Sequence, residues 1–490
     1  MSEDRTDSAA VDDEQLRALG IRSEFERSIT FWRSFALGFT YLSPVVGAYS
    51  LFNFGLATAG PPMMWWFAIA GAGQLLVALV FGEVVSQFPI AGGIYPWARR
   101  LVGRRWSWIV GWVYAWALFI TIAGVAIGAP PILQQLLGFE ASPASMTLAA
   151  LVLLACTAPI NLMGTRVVGR VAFFGFLCEV IGAVLVGTYL LLCSRHQSPA
   201  VIVQTLGAQR NGAYWPAFIA ASVVGLVCCY GFEACGDVAE ETPNPSRAIP
   251  RAMQMTIYVG ISVAIFASLA LILAVPDLES AVHVANSGPL EAALDAAFGH
   301  MGSKLVLLIV LVSFVSCALS LQAAASRVIY SYARDGMIIG ATRLAHISPK
   351  HRVPAASLVV AVIVPAVVDC IGFAIKDAMA VVFSFAAAGM YIAFQMVVAG
   401  ALFARFRGWQ PRGPFRLGRY GWLVNLLALA YGLSALTILM WPTGDGAWYL
   451  NYATPLAVCV VMALGILYMA ILRPYQLSLG PAGDAWSAAD

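Results

Sequence analysis

The chain has 490 residues, of which 60% are hydrophobic and 11% charged, and its mean hydropathy is +0.81. A soluble domain carries about 25% charged residues, so this composition excludes an ordinary globular protein. A net charge of only +3 excludes a nucleic-acid arm, and the nine Cys show neither a CxxC pair nor metal-ligand spacing.

The N-tail (1–33) opens polar and acidic, with Glu3, Asp4, Asp7, Asp12, Asp13 and Glu14. A secretory leader needs a basic start and a short apolar core, so this is not one. A membrane core of roughly 30 Å takes about 20 apolar residues in helical form. The sequence predicts twelve such spans, near 34–54, 62–86, 106–130, 145–163, 170–193, 215–237, 251–275, 304–332, 354–373, 378–403, 420–441 and 452–472. They divide into a first five-helix half (34–193), a second (215–403), two further spans (420–472) and a C-tail (473–490). The expected class is therefore an all-α integral membrane protein with twelve transmembrane helices. In the loop near 276–303, the stretch 289–298 is expected to form a short interfacial helix. Trp65, Trp66, Trp106, Trp108, Trp112, Trp441, Trp448 and Tyr449 are expected to anchor span ends at the interface.

Of the 28 Lys and Arg, all but Arg195, Arg210, Lys304 and Lys376 belong to the tails or to the loops after even-numbered spans. Basic residues stay on the side of synthesis, so both termini are expected in the cytoplasm and the protein in the plasma (inner) membrane.

Two spans carry interruptions. The first contains Ser43-Pro44-Val45-Val46-Gly47, and proline removes a backbone donor and clashes with the preceding turn. The sixth runs from Gly225 through Cys229-Tyr230-Gly231-Phe232-Glu233 to Gly236, where glycine lowers the cost of unwinding. Unwound backbone in a bilayer has to be satisfied by protein, water or ligand. Interruptions at matching places in two halves point to a transport site near the midplane.

Few acidic residues lie within spans: Glu83, Glu179, Glu233, Asp237 and Asp369. A charge at the bilayer centre costs about 2.5–3.5 kcal/mol, so such residues persist where they meet water, a partner or a substrate. Glu233 is placed to face a substrate amine or backbone freed by the break. Glu179, mid-way along the fifth span, is the candidate for ion coupling, with H+ as the expected ion. Glu83 is read as an inner-gate or capping carboxylate. Asp369 is expected to reach the interface. The five His lie in or beside loops without metal spacing. Neither a GxxxxGK[ST] phosphate loop nor HExxH nor Gly-x-Ser-x-Gly occurs, so no catalytic residue, metal or cofactor is assigned.

Three stretches carry a resemblance: Gly231-Phe-Glu-Ala-Cys-Gly-Asp-Val-Ala-Glu-Glu-Thr-Pro-Asn-Pro-Ser-Arg-Ala-Ile-Pro250, Glu83-Val-Val-Ser-Gln-Phe-Pro-Ile-Ala-Gly-Gly-Ile-Tyr-Pro-Trp-Ala98 and Ser326-Arg-Val-Ile-Tyr-Ser-Tyr-Ala-Arg-Asp-Gly336. In order and spacing they resemble the amino acid–polyamine–organocation superfamily of secondary transporters. Leu19-Gly-Ile-Arg-Ser-Glu-Phe-Glu-Arg27, Phe54-Gly-Leu-Ala-Thr-Ala-Gly-Pro-Pro62 and Gly92 to Trp97 resemble most the amino acid/choline branch, with its GABA and choline permeases. The resemblance implies a five-plus-five inverted repeat with two added helices, and alternating access around broken helices 1 and 6. It implies that Ser43, Pro44, Val45, Val46, Gly47 and Ala48 meet a substrate carboxylate. Cys229, Tyr230, Gly231 and Phe232, with Glu233, would then meet an amine. Glu240, Glu241 and Arg327 in the motifs join Glu83 as gate or structural candidates.

Many relatives read Gly-x-Gly in helix 1, where this chain offers only Gly47. Some place a Lys in helix 5, where counting from Gly164 falls on Glu179. The expected activity is proton-coupled uptake of amino acids or related amines. An alternative is a choline, 4-aminobutyrate or other organic-cation permease or exchanger, using Tyr41, Tyr114, Trp116, Tyr230 and Phe232 with Glu233. A non-transporting sensor is the remote third.

Overall fold

The computed structural model describes residues 3–22, 24–209, 212–283, 288–374, 376–442, 447–478 and 480–486, with backbone alone for 3–10 and 374–383. Arg210, the stretch 284–287 and the side chain of Lys376 thus fall outside the described residues. The described chain is helical, with no strand among the described residues.

Helix α1 (Glu3–Ala18) precedes the first span, which is split into α2 (Phe31–Leu42) and α3 (Pro44–Ala59). Then come α4 (Trp65–Gln87), α5 (Ile94–Leu101), α6 (Arg104–Gly128), α7 (Pro130–Leu137), α8 (Pro143–Leu162) and α9 (Thr165–Cys193). The sixth span is fragmented into α10 (Tyr214–Ala220), α11 (Val223–Cys228) and the single turn α12 (Ala234–Asp237). It is followed by α13 (Pro245–Ala274), α14 (Leu278–His283), α15 (Pro289–Arg334), α16 (Ala341–Leu344) and α17 (Ala355–Ala374). The last are α18 (Lys376–Phe406), α19 (Gly421–Met440), α20 (Trp448–Asn451) and α21 (Ala453–Leu472). Among the described residues, eleven helices or helix pairs are long and apolar enough to cross a membrane, and Tyr214–Cys228 is a shorter apolar one. The shortfall from twelve lies at the interrupted sixth span, where no unbroken helix reaches span length.

Local chemistry explains several boundaries. At the start of α8, Ser142 Oγ accepts from Ser145 N–H (3.1 Å) and Ser145 Oγ accepts from Ser142 N–H (2.9 Å), which satisfies two of the helix's free donors. In α15, Gly299 adopts φ 64 and ψ 174, so 289–298 is a separate helix, as its sequence predicts. Helices approach closely where side chains are small: a Cβ on Gly175 of α9 would lie 2.1 Å from Ser316 Oγ of α15.

Two expectations need correction. Asp369 is fully buried, and neither carboxylate oxygen has a hydrogen-bond partner among the described residues. It shares a stripe with buried Leu358, Ala361 and Pro365 at three- and four-residue spacing, so helical phase rather than height in the span sets its environment. Trp66 and Trp108 are buried, and with Trp112 they donate to carbonyls of neighbouring segments: Trp66 to Phe218 (2.7 Å), Trp108 to Met337 (3.0 Å) and Trp112 to Val461 (2.8 Å). Trp65, Trp441 and Trp448 are exposed, as anchors require. Glu83, read as an inner-gate or capping carboxylate, pairs with Arg405 at the end of α18 and accepts Leu417 N–H at 2.9 Å.

Both tails dock on one face. Asp12 accepts the N–H of Asn244, the residue before α13, at 2.8 Å, and Gln15 bonds Ser246 at 3.0 Å. The buried Arg100 of α5 donates to the Leu19 carbonyl of the N-tail and pairs with Asp484 of the C-tail. Gly483 and Ala485 N–H groups bond the Arg99 and Arg100 carbonyls at 2.9 and 3.1 Å.

Candidate functional site

The two interruptions meet. Ser43 ends α2 in the left-handed region (φ 41, ψ 80), and Pro44 restarts the chain as α3 in a new direction. An L-residue there costs roughly 1–2 kcal/mol, so surrounding contacts have to hold it. In the sixth span, Cys229 to Glu233 leave the helix and Gly231 adopts φ 121, which a side chain would resist. A Cβ on Gly231 would lie 2.6 Å from the Leu42 backbone nitrogen and 3.0 Å from the Tyr41 ring. A Cβ on Gly47 would lie 2.1 Å from Cys228 Sγ. The glycines therefore let two unwound segments touch.

Each break is held by an acidic side chain. Glu179, fully buried on α9, accepts the Ser43 hydroxyl and the Val45 N–H with Oε1, both at 2.9 Å. Glu233 folds back so that Oε2 accepts Gly231 N–H at 2.8 Å. Below it, Asp237 Oδ2 accepts the Tyr114 hydroxyl at 3.2 Å. Glu179 Oε2, Glu233 Oε1 and Asp237 Oδ1 are buried without partners. Buried lone pairs without donors are costly; Asp237 Oδ1 lies against Gly93 at the head of α5, where a Cβ would stand 2.7 Å away.

The structure brings together most of the residues singled out from sequence. Ser43, Val45, Val46 and Ala48 are buried at the first break, with Pro44 at the head of α3 and Gly47 beside Cys228. Tyr230 and Tyr41 form an edge-on pair at 6.5 Å. Cys229 turns away toward the Phe67 carbonyl (3.9 Å). Phe232 packs on Phe81 (5.9 Å) and Phe394 (5.6 Å) and belongs to the core, and Trp116 stacks edge-on with Trp112 (5.9 Å) and Phe119 (5.9 Å). Missed from sequence was a chain of hydroxyls: Tyr391 donates to the Leu226 carbonyl just before the break (3.2 Å) and meets Tyr431 (3.0 Å), which donates to the Ala70 carbonyl (3.1 Å). Nothing in the local sequence of α18 or α19 distinguishes these tyrosines from packing residues.

Ion pairs close the tail face below the breaks. Arg327 of α15 forms a two-point pair with Glu241 (2.9 and 3.3 Å), and Arg334 pairs with Glu240 (2.8 Å), which also accepts Ala91 N–H (3.0 Å). Asp335 pairs with Arg99 and accepts the Tyr95 hydroxyl (2.8 Å). On the opposite face a cavity of about 640 Å³ descends along α3, lined by Tyr49, Asn53, Gln134, Glu291, Asp295 and Lys304 among others. The ion pairs thus join segments on the tail side, and the cavity forms a vestibule that reaches Tyr49, next to Ala48.

Comparison with known proteins places the chain among permeases. The family model described as "Amino acid permease" matches residues 29–465. The "Amino-acid permease BAT1 homolog" of Oryza sativa subsp. japonica is 26% identical, over 95% of this chain and 93% of that protein. "Amino-acid permease BAT1" of Arabidopsis thaliana is 24% identical, over 93% of each. A "Putative amino acid/polyamine transporter" of Macrophomina phaseolina (strain MS6) is 24% identical, over 80% of this chain and 90% of that protein.

Proposed function

The chain belongs to the amino acid permease family, and from that membership we propose that it takes up amino acids or related amines across the plasma membrane by alternating access, coupled to protons. The observation that carries this reading is the contact between the two helix breaks, each holding a buried carboxylate with a free oxygen. Residues 34–193 and 215–403 act as the two inverted five-helix halves, and the tails lie in the cytoplasm, where the basic loops place them. The vestibule is then the extracellular entry, and Arg327–Glu241 with Arg334–Glu240 form the closed inner gate. Ser43 to Ala48 and Cys229 to Glu233 receive the substrate. Cys229 and Phe232 do so through backbone carbonyls, since their side chains point elsewhere. Glu179 is the coupling residue.

A second reading, transport of choline or another organic cation, is favoured by the Tyr41–Tyr230 pair and Tyr114 beside the free oxygens of Glu233 and Asp237. Aromatic faces with an acid suit a cation that has no carboxylate. Proteoliposomes in sodium-free buffer, offered labelled neutral and basic amino acids, 4-aminobutyrate and choline, decide between the two. The proposal expects an acid-outside gradient to stimulate uptake of an amino acid. Uptake of choline alone establishes the second reading, and uptake that requires sodium removes proton coupling.

A further inference from the structure

At the first break the protein already supplies a carboxylate. Pro44 has no N–H, so Val45 and Val46 bear the leading donors of α3, at the positive end of its dipole. Val45 N–H and the Ser43 hydroxyl both go to Glu179 Oε1, at 2.9 Å each. Glu179 arrives from α9, more than 130 residues along the chain, is fully buried, and leaves Oε2 unpartnered. The groups facing it are the Ser43 hydroxyl, the Val45 N–H and, from α15, the Cys317 thiol. Helices α13 and α8 also pack on α9 and bring no charged or titratable group to it among the described residues.

A substrate carboxylate entering here needs the same donors. Two ionised carboxylates within about 4–6 Å disfavour one another, and neither has a cation to offset the other. We infer that Glu179 is an internal stand-in for the substrate's carboxylate, and that coupling arises from their exchange. Only a proton on Glu179 releases Val45 and Ser43 to the incoming carboxylate. This rests on the reading that Ser43 to Ala48 receive the substrate. In sequence, a proton from the vestibule side joins a Glu179 oxygen and the carboxylate loses its hold on the break. The substrate carboxylate takes over the two donors, and the neutral Glu179 hydroxyl is free to donate to it. On release toward the tail side the substrate leaves, Glu179 gives up its proton and returns to Val45 and Ser43. One proton therefore travels with one carboxylate, by competition for a single pair of donors.

The consequence separates acids from amides. Proton uptake linked one-to-one to binding makes Kd rise about tenfold per pH unit wherever Glu179 is ionised in the empty protein. A carboxamide has no charge to compete and shows no such slope. Glu233 and Asp237 on the other break act on the amine, which acid and amide share, so the comparison cancels their contribution.

The test is calorimetric binding to the full chain in nanodiscs, between about pH 5 and about pH 9; above about pH 7 the deciding pair is 4-aminobutyrate and its carboxamide, whose alkyl amines stay protonated. The probes are alanine, arginine and 4-aminobutyrate, each beside its own carboxamide. The expected result is a proton taken up with each bound acid and none with its amide, and loss of the acid's pH slope in Glu179→Gln. Equal slopes for acid and amide overturn the inference, as does a slope that survives Glu179→Gln. The acid–amide comparison uses the unaltered protein, so it decides even if the variant does not fold. Failure of every probe to bind has a different signature: it removes the substrate assignment of Ser43 to Ala48 and the exchange with it.

Discussion

Arg327 and Glu241 are both almost completely buried and hold each other by two hydrogen bonds. Removing one partner of such a pair costs about 3–5 kcal/mol, because the other charge is left without compensation. Arg327→Met is therefore expected to lower the thermal midpoint of the purified protein sharply, while Arg327→Met with Glu241→Gln recovers most of the loss. Equal melting of single and double variants would remove the pair from the inner seal. These residues were legible because they sit in long motifs. Asp369 was placed by its height along the span, and its side is set by phase. The Glu83–Arg405 pair joins residues separated by 322 positions, a distance over which spacing along the chain carries no geometric information.

At the scale of elements, two glycines look alike in sequence and differ in what blocks substitution. At Gly47 the obstacle is a side chain, Cys228 Sγ, 2.1 Å from where a Cβ would stand. At Gly231 it is the Leu42 backbone, 2.6 Å away, combined with a φ of 121. Gly47→Ala is expected to abolish uptake, and adding Cys228→Ala to restore part of it. Gly231→Ala has no such partner, so Cys228→Ala leaves it inactive. Uptake per folded protein, with yield measured by gel filtration, checks both, and restoration at Gly231 would contradict the backbone argument. Proline and glycine announced both breaks, because their effects on φ and on donors are local. What covers the breaks was not legible: Glu179 reaches Ser43 only because α9 packs on α2 in a particular register, which the sequence of either helix alone leaves open.

For the molecule as a whole, the all-helical membrane architecture followed from hydropathy, since span length is set by the bilayer rather than by partners. The docking of the tails could not be read in this way. The N-tail is polar and acidic, the usual composition of unattached chain, yet Asp12 and Gln15 bond the head of α13. Arg100 ties both tails to α5, whose Arg99 reaches the gate through Asp335. Deleting residues 480–486 removes the Asp484 pair and two backbone bonds, and a hydrogen bond to a charged group is worth about 1.5–3 kcal/mol. Amide hydrogen exchange in α5 is expected to accelerate by roughly tenfold or more. An unchanged rate would mean that the C-tail rests on the face without bracing it.

The strap also has a place in time. Arg100 waits for Asp484, 384 residues further along the chain. At synthesis rates of about 5–20 residues per second, that is a delay on the order of 20–80 s. Over that interval the helices from α6 to α21 are made, while the guanidinium that ends up buried lacks its anion. A chain that lacks Asp484 leaves the guanidinium of a basic α5 without its anion, while Arg99 beside it keeps Asp335.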